Sequence, residues 1–136
     1  MSDPAPVPIC EGLFASTDPP HLIGGRCEAC KCDHFPRSAT CPFCANDRTD
    51  QVDLPTEGRL WAWTAVTAAP PGYHGEVPFG FGVVELSDGL RVLGRLTEAD
   101  PTRLTAGQPM SVVVVPLHRD DEGRPVVTYA FAPVER

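Results

Sequence analysis

The sequence predicts a mainly β protein in which a cysteine-stapled N-terminal module precedes a small five-stranded barrel. Three observations carry that expectation. Four cysteines fall into two C-x2-C pairs, Cys27 with Cys30 and Cys41 with Cys44, separated by ten residues. Five runs rich in β-branched and aromatic residues crowd the stretch after residue 58, and no long apolar repeat at helical spacing lies between them. The 12 glycines and 16 prolines make up about a fifth of the chain against a usual ~12%, which favours short elements and many turns. A length of 136 residues fits one domain, or a small domain with a metal-held appendage.

Residues 1–20 contain Pro4, Pro6, Pro8, Pro19 and Pro20, with acidic but no basic side chains, and read as an irregular proline-rich arm. Ile9, Leu13 and Phe14 are its candidate anchors, on a short amphipathic turn. Residues 21–50 hold five of the six cysteines and balance four acidic with four basic side chains, so they read as a compact, neutral module. Residues 51–136 carry the strands. RLWAWTAV (59–66) is the first, and its alternation puts Trp61 and Trp63 on one face. FGVVELSDGLRVLGRL (81–96) reads as two strands around the turn-forming Ser87, Asp88 and Gly89. In the second of these, Leu90, Val92 and Leu96 alternate with Arg91 and Arg95. Leu93 breaks the pattern, and Gly94 marks a bulge or a close approach. DPTRL (100–104) fits a single helical turn capped by Asp100, with Pro101 at its first position. SVVVVPL (111–117) and VVTYAFA (126–132) supply the last two strands, joined by the charged loop RDDEGR (119–124). Closure into a barrel would hide the edges of such apolar strands.

The two cysteine pairs suit a tetrahedral metal. Each pair can offer two thiolates from one turn, and zinc accepts four sulfur ligands without a demanding electronic geometry. An all-sulfur set argues for a closed structural site with no open catalytic position. A rubredoxin-like iron site and a reducible dithiol are the competing assignments. Cys32 and Cys10 read as bystanders, and His21 and His34 as packing or surface residues, because four cysteines already complete the tetrahedron. Arg26, Lys31 and Arg48 are placed in sequence to offset local negative charge.

The remaining composition mostly excludes. Net charge is −7, with Lys31 the one lysine, and residues 51–136 carry seven basic against eleven acidic side chains, so binding to a nucleic-acid backbone is disfavoured. No charged lead into an apolar run opens the chain, and no run of 18 apolar residues exists, so a cytoplasmic protein without a membrane span is expected. That compartment favours metal over disulfides. The chain has no G-x-S-x-G elbow, no phosphate-cradling G-x-x-x-x-G-K and no G-x-G-x-x-G opening a helix. Glu85 with Asp88 reads as a solvated pair beside a turn. The loop APPGYHGEVPFGF (69–81) presents Tyr73 and His74, either as covers for the barrel end or as contacts to a ligand or partner. Trp61 and Trp63 also allow an aromatic platform for single-stranded nucleic acid.

The order of these features is more specific than any one of them. LIGGRCEACKCDHFPRSATCPFC, then GRLWAWTAV, VPFGFGVVELSDGLRVLGRLT, TAGQPMSVVVV and VVTYAFAPV together resemble the DUF35 family over roughly residues 8–134. The resemblance implies a rubredoxin-like zinc ribbon joined to an OB-fold barrel and associated with acyl-CoA. It makes Cys27, Cys30, Cys41 and Cys44 the metal ligands, Pro78 and Phe79 the proline and aromatic positions before a valine-rich strand, and Gly89 the hairpin glycine. Gly107 and Met110 look like the family's glycine and hydrophobic positions before its fifth strand. Lys31 and Ala45 depart from the family pattern, which often has glycine there, and the short proline-rich lead departs from its helical one. The resemblance further implies a non-catalytic accessory subunit of thiolase-like enzymes, including lipid-transfer-protein-type thiolases and steroid side-chain aldolases acting on coenzyme A thioesters. Tyr73, His74 and Phe79 are then candidate contacts to ligand or partner. A standalone acyl-CoA-binding module and a single-stranded nucleic-acid-binding OB-fold are the alternatives.

Overall fold

In the computed structural model the described residues are 5–10, 12–17, 19–73, 77–86 and 89–134. Five strands among them build the barrel: β6 (Glu57–Val66), β7 (Phe79–Leu86), β8 (Arg91–Leu96), β9 (Pro109–Arg119) and β10 (Pro125–Pro133). β6, β7 and β8 form an antiparallel meander. β10 joins β8 in parallel, through Ala130 opposite Arg95 and Phe131 opposite Leu96, and β9 runs antiparallel to β10 along its length. β9 then returns to β6, with Ser111 opposite Glu57, and closes the cylinder. The expected five-stranded OB-type barrel is therefore present, with its single parallel joint between β8 and β10. Periodicity could not supply that joint, because alternation orients a strand's faces and says nothing about its neighbours.

The core follows from alternation. Val84 and Leu86 on β7 and Val92 and Leu96 on β8 point inward, and they meet Leu60, Met110, Val112 and Phe131. Leu93 does not disturb this arrangement. It lies outward with Arg91 and Arg95, and Gly94 takes the inward place. A side chain at Gly94 would put its Cβ 2.8 Å from the rings of both Phe131 and Tyr129. The register across Gly82 and Gly94 is unbroken, so Gly94 marks a close approach and no bulge.

The bulge lies on β6. Leu60 is opposite Val84 and Ala62 is opposite Val83, which makes Trp61 the extra residue. The expectation that Trp61 and Trp63 share a face fails for that reason, since one inserted residue reverses the alternation. Trp61 stays outside, 54% exposed. Trp63, opposite Gly82, packs against the core and donates from Nε1 to the Pro101 carbonyl at 3.0 Å. That carbonyl belongs to the expected helical turn, a 3-10 turn at Pro101–Arg103 in which the Asp100 carboxylate accepts the Thr102 N–H at 3.0 Å.

The N-terminal half is more ordered than its composition suggests. β1 (Val7–Pro8) lies parallel to Val126 and Val127 of β10, and the Ile9 N–H donates to the Val127 carbonyl at 2.8 Å. It covers an edge of β10 that β8, which pairs only at Ala130 and Phe131, leaves open. β2 (Phe14–Ala15), β3 (His21–Cys27), β4 (Asp33–His34) and β5 (Thr49–Asp53) make the second sheet, with β3 at its centre. Two glycines give β3 poor strand propensity. They are required because the Cβ of a residue at 24 would sit 2.6 Å from the His34 carbonyl oxygen, and one at 25 would run into the His34 ring. Phe14, Leu22 and Leu54 of this half join the barrel residues in one core cluster. Among the described residues no helix is long and apolar enough to cross a membrane.

Candidate metal centre

Two similar turns bring the cysteines together. In the first, the Lys31 N–H returns to the Cys27 carbonyl at 3.0 Å while the Ala29 and Cys30 N–H groups donate to Cys27 Sγ at 3.3 and 3.5 Å. In the second, the Ala45 N–H returns to the Cys41 carbonyl at 2.9 Å and the Phe43 N–H donates to Cys41 Sγ at 3.4 Å. Each turn closes on a residue in the left-handed region, Lys31 at φ 63° and Ala45 at φ 65°. These are the two positions where the sequence departs from glycine, so the backbone keeps the glycine conformation without the glycine.

The four sulfurs lie within 4.8 Å of one another. Cys27 and Cys44 are 3.5 Å apart, and Cys30 and Cys41 are 3.7 Å apart. Four sulfurs at a zinc–sulfur bond length near 2.3 Å would form a tetrahedron with edges of about 3.8 Å, so the donor set fits that ion. Cys27 and Cys41 are buried and Cys44 is exposed, which places the group under the two turns and open on one side.

Electrostatics point the same way. Backbone N–H groups, that of Cys30 first, lower the Cys27 thiol to about 7 against the opposing effect of burial. The Cys32 N–H lowers Cys30, but burial and the neighbouring Cys41 and Cys27 thiols outweigh it and push Cys30 up to about 12. Burial opposes ionisation of Cys41, yet the N–H groups of Cys44 and Phe43 bring it down. Cys44 is raised: the Asn46 N–H lowers it, and the Cys27 thiol, burial and the Cys41 thiol prevail. Four crowded thiols cannot all ionise without a cation among them.

The other candidates fall outside the cluster. Cys32 Sγ bonds to the Cys30 carbonyl at 3.7 Å, and Cys10 lies exposed in the arm. His34 is buried and accepts the Ser38 N–H at Nε2 (3.1 Å), while His21 pairs with Asp53 at 3.2 Å. Arg26 is engaged by the Asp33 carboxylate at 2.7 Å.

On the barrel, the Tyr73 and Phe79 rings pack with centroids 5.0 Å apart. His74 and Asp88 lie outside the described residues. Arg95, read from sequence only as part of a wet face, organises the aromatic pair. Its guanidinium lies 4.6 Å over Phe79 and 5.8 Å from the Tyr73 ring, and its Nη1 donates to the Tyr73 hydroxyl at 2.7 Å. Arg91 lies 4.3 Å over exposed Trp61 and pairs with Glu85 at 3.0 Å. The sequence signal for both was the outward alternation of Arg91 and Arg95 on β8.

Comparison with known proteins agrees with this architecture. Residues 51–115 match the family described as "ChsH2, C-terminal OB-fold domain". The chain is 28% identical over 116 residues to a DUF35 domain-containing scaffold protein of Methanocaldococcus jannaschii, covering 84% of this chain and 82% of that one. It is 27% identical over 112 residues to the benzoylsuccinyl-CoA thiolase subunit BbsA of Thauera aromatica, covering 82% and 76%. The solved structure of an Ltp2-ChsH2(DUF35) aldolase superposes with a TM-score of 0.65 at 26% identity, covering 83% of this chain and 84% of that one.

Proposed function

We propose that this chain, which is similar to DUF35 domain-containing scaffold proteins and whose residues 51–115 match a ChsH2-type C-terminal OB-fold domain, is a non-catalytic, zinc-containing accessory subunit of a thiolase-like enzyme. The partner would be a thiolase or a lipid-transfer-protein-type aldolase that makes or breaks a carbon–carbon bond in an acyl-CoA or steroid-CoA thioester. This chain would stabilise that enzyme or shape its substrate pocket, in a cytoplasmic hetero-oligomer. The observation that carries the reading is the structural match, over 83% of this chain and 84% of that one, to a chain of the Ltp2-ChsH2(DUF35) aldolase.

In this reading residues 1–20 are the arm, 21–50 the zinc ribbon and 51–136 the OB-fold domain. Cys27, Cys30, Cys41 and Cys44 would hold the zinc, whose contribution is structural cross-linking of two turns. The knuckle N–H groups orient Cys27 and Cys41, while Tyr73 and Phe79 offer a rigid aromatic contact to partner or ligand.

Coexpression with a thiolase-like subunit encoded beside this gene tests the reading. Copurification in fixed proportion, with a rise in the partner's stability or turnover, is the expected result. A partner that neither copurifies nor changes in stability or turnover would overturn it.

A further inference from the structure

The outer face of the β6–β8 meander gathers apolar side chains that lie far apart in the sequence. Trp61, Phe81 and Leu93 are 54%, 37% and 59% exposed, and they are three of the six exposed large apolar side chains among the described residues. Strand pairing brings them together: Leu93 is opposite Val83, Phe81 is opposite Thr64 and Arg95, and Trp61 is the bulged residue between those paired with Val84 and Val83. Trp61 reaches across β7, since the Arg91 guanidinium of β8 lies 4.3 Å from its ring centroid. An exposed apolar row on this scale marks a surface that something else covers.

Charge on this face runs against the average of the chain. Net charge is −7, yet among the described residues the outward positions where the three strands pair carry Arg59, Arg91 and Arg95 against Glu85. Glu85 stands between Arg59 and Arg91 and pairs with Arg91 at 3.0 Å. Arg95 lies over the Phe79 ring and donates to the Tyr73 hydroxyl, two uncharged partners that fix the guanidinium without neutralising it. The face is thus an apolar row with a basic border. Three strands about 4.8 Å apart, each contributing five residues of about 3.3 Å, cover roughly 200 Å2, well under the ~800 Å2 per side of a standard interface. It therefore suits the centre of a larger contact, where tryptophan and arginine carry most of the binding energy.

We infer that the catalytic partner subunit docks on this face, and that it meets the face with an apolar ridge bordered by carboxylates. The chemistry of that complement rests on the face alone, while its assignment to a thiolase-like subunit rests on the proposed function. Phe81, Val83 and Leu93 receive the ridge, Trp61 anchors it, and the arginines receive the carboxylates. A second copy of the chain is a poorer occupant, because it would set arginine against arginine and bring two chains of net −7 together. Single-stranded nucleic acid is poorer still: Arg91 already covers one side of the Trp61 ring, and the same negative field opposes its phosphates.

Coexpression of the full-length, zinc-loaded chain with the thiolase-like subunit encoded beside its gene, followed by dissociation of the complex on dilution, tests the inference. The wild-type complex should weaken as salt rises. Leu93→Glu and Trp61→Ala should each raise the dissociation constant about tenfold or more, and Asp121→Ala, on the β9–β10 turn, should leave it unchanged. Melting temperature and zinc content of the free variants should match the wild type, because the altered side chains are exposed. If Leu93→Glu melts early, Trp61→Ala and Arg91→Ala decide. A complex that dissociates alike in wild type and face variants overturns the docking face alone and leaves the accessory role standing. A wild-type chain that forms no complex overturns the proposed function and the docking face with it. Indifference of the complex to salt would overturn the carboxylate border. A dimer of the free chain that Leu93→Glu breaks, or binding of a single-stranded DNA oligonucleotide that Trp61→Ala abolishes, would give the face another occupant and overturn the assignment.

Discussion

Phe35, on the cysteine-bearing half, stands edge-on to Tyr129 of β10, with ring centroids 5.5 Å apart and planes at 90°. Tyr129 also meets Phe14 of the arm region and Phe131 of the barrel core, and its hydroxyl donates to the Leu93 carbonyl at 2.7 Å. One side chain therefore couples arm, cysteine sheet and barrel.

Tyr129→Phe keeps the ring contacts and removes the hydroxyl bond, so it should cost about 1 kcal/mol in denaturant unfolding. Burial raises the Tyr129 pKa above its ordinary 10.0. The folded state then holds the proton after the unfolded state has released it, so this contribution is intact below pH 10 and is lost as pH rises through the higher folded value. Wild-type stability should fall across that alkaline window, and the Phe variant should show a shallower fall. Equal slopes would disprove the linkage.

Removal of the metal should be the most damaging single change. A strong chelator, or Cys41→Ser, should release the ion and unfold the cysteine sheet, since structural zinc supplies on the order of 10 kcal/mol in isolated sites. Metal analysis of the native protein should find one zinc per chain, and Cys32→Ser should leave that content unchanged. Strong visible iron–sulfur absorption would replace zinc with iron.

Ala45→Gly should stabilise the protein. Ala45 sits at φ 65°, where a Cβ is strained by roughly 1–2 kcal/mol, and glycine's greater unfolded entropy returns only part of that relief. A gain of about 0.5–1 kcal/mol in the melting of the metal-loaded protein is expected. A loss would mean the Cβ makes a contact that outweighs the strain.

The bulge at Trp61 separates two tryptophans only two positions apart. Trp63→Ala should cost about 3 kcal/mol, because it removes a core-packed ring and its bond to Pro101. Trp61→Ala should cost under about 1 kcal/mol, the scale of an exposed cation–π contact. Similar losses for the two would show that the rings share an environment.

Much of the four-cysteine cluster was legible in the sequence, because a C-x2-C pair is a local device: its turn, its two sulfurs and its N–H donors come from adjacent residues. The strands of β7 to β10 were legible for a related reason, in that alternation reports which side of a strand is wet. β3 was hidden because Gly24 and Gly25 answer to His34 and Leu54, which are distant in sequence. β1 was hidden because two residues carry no period.

By itself, then, the sequence determined the chemistry of four sulfurs and the inward faces of most barrel strands, since short-range spacing encodes both. Tertiary structure alone decided which strands are neighbours, that Trp61 and Trp63 face opposite ways, and that Arg95 reaches the Tyr73 hydroxyl and the Phe79 ring. Those outcomes depend on contacts between segments far apart in the chain, where one inserted residue on β6 or one parallel pairing to β10 redirects every side chain beyond it.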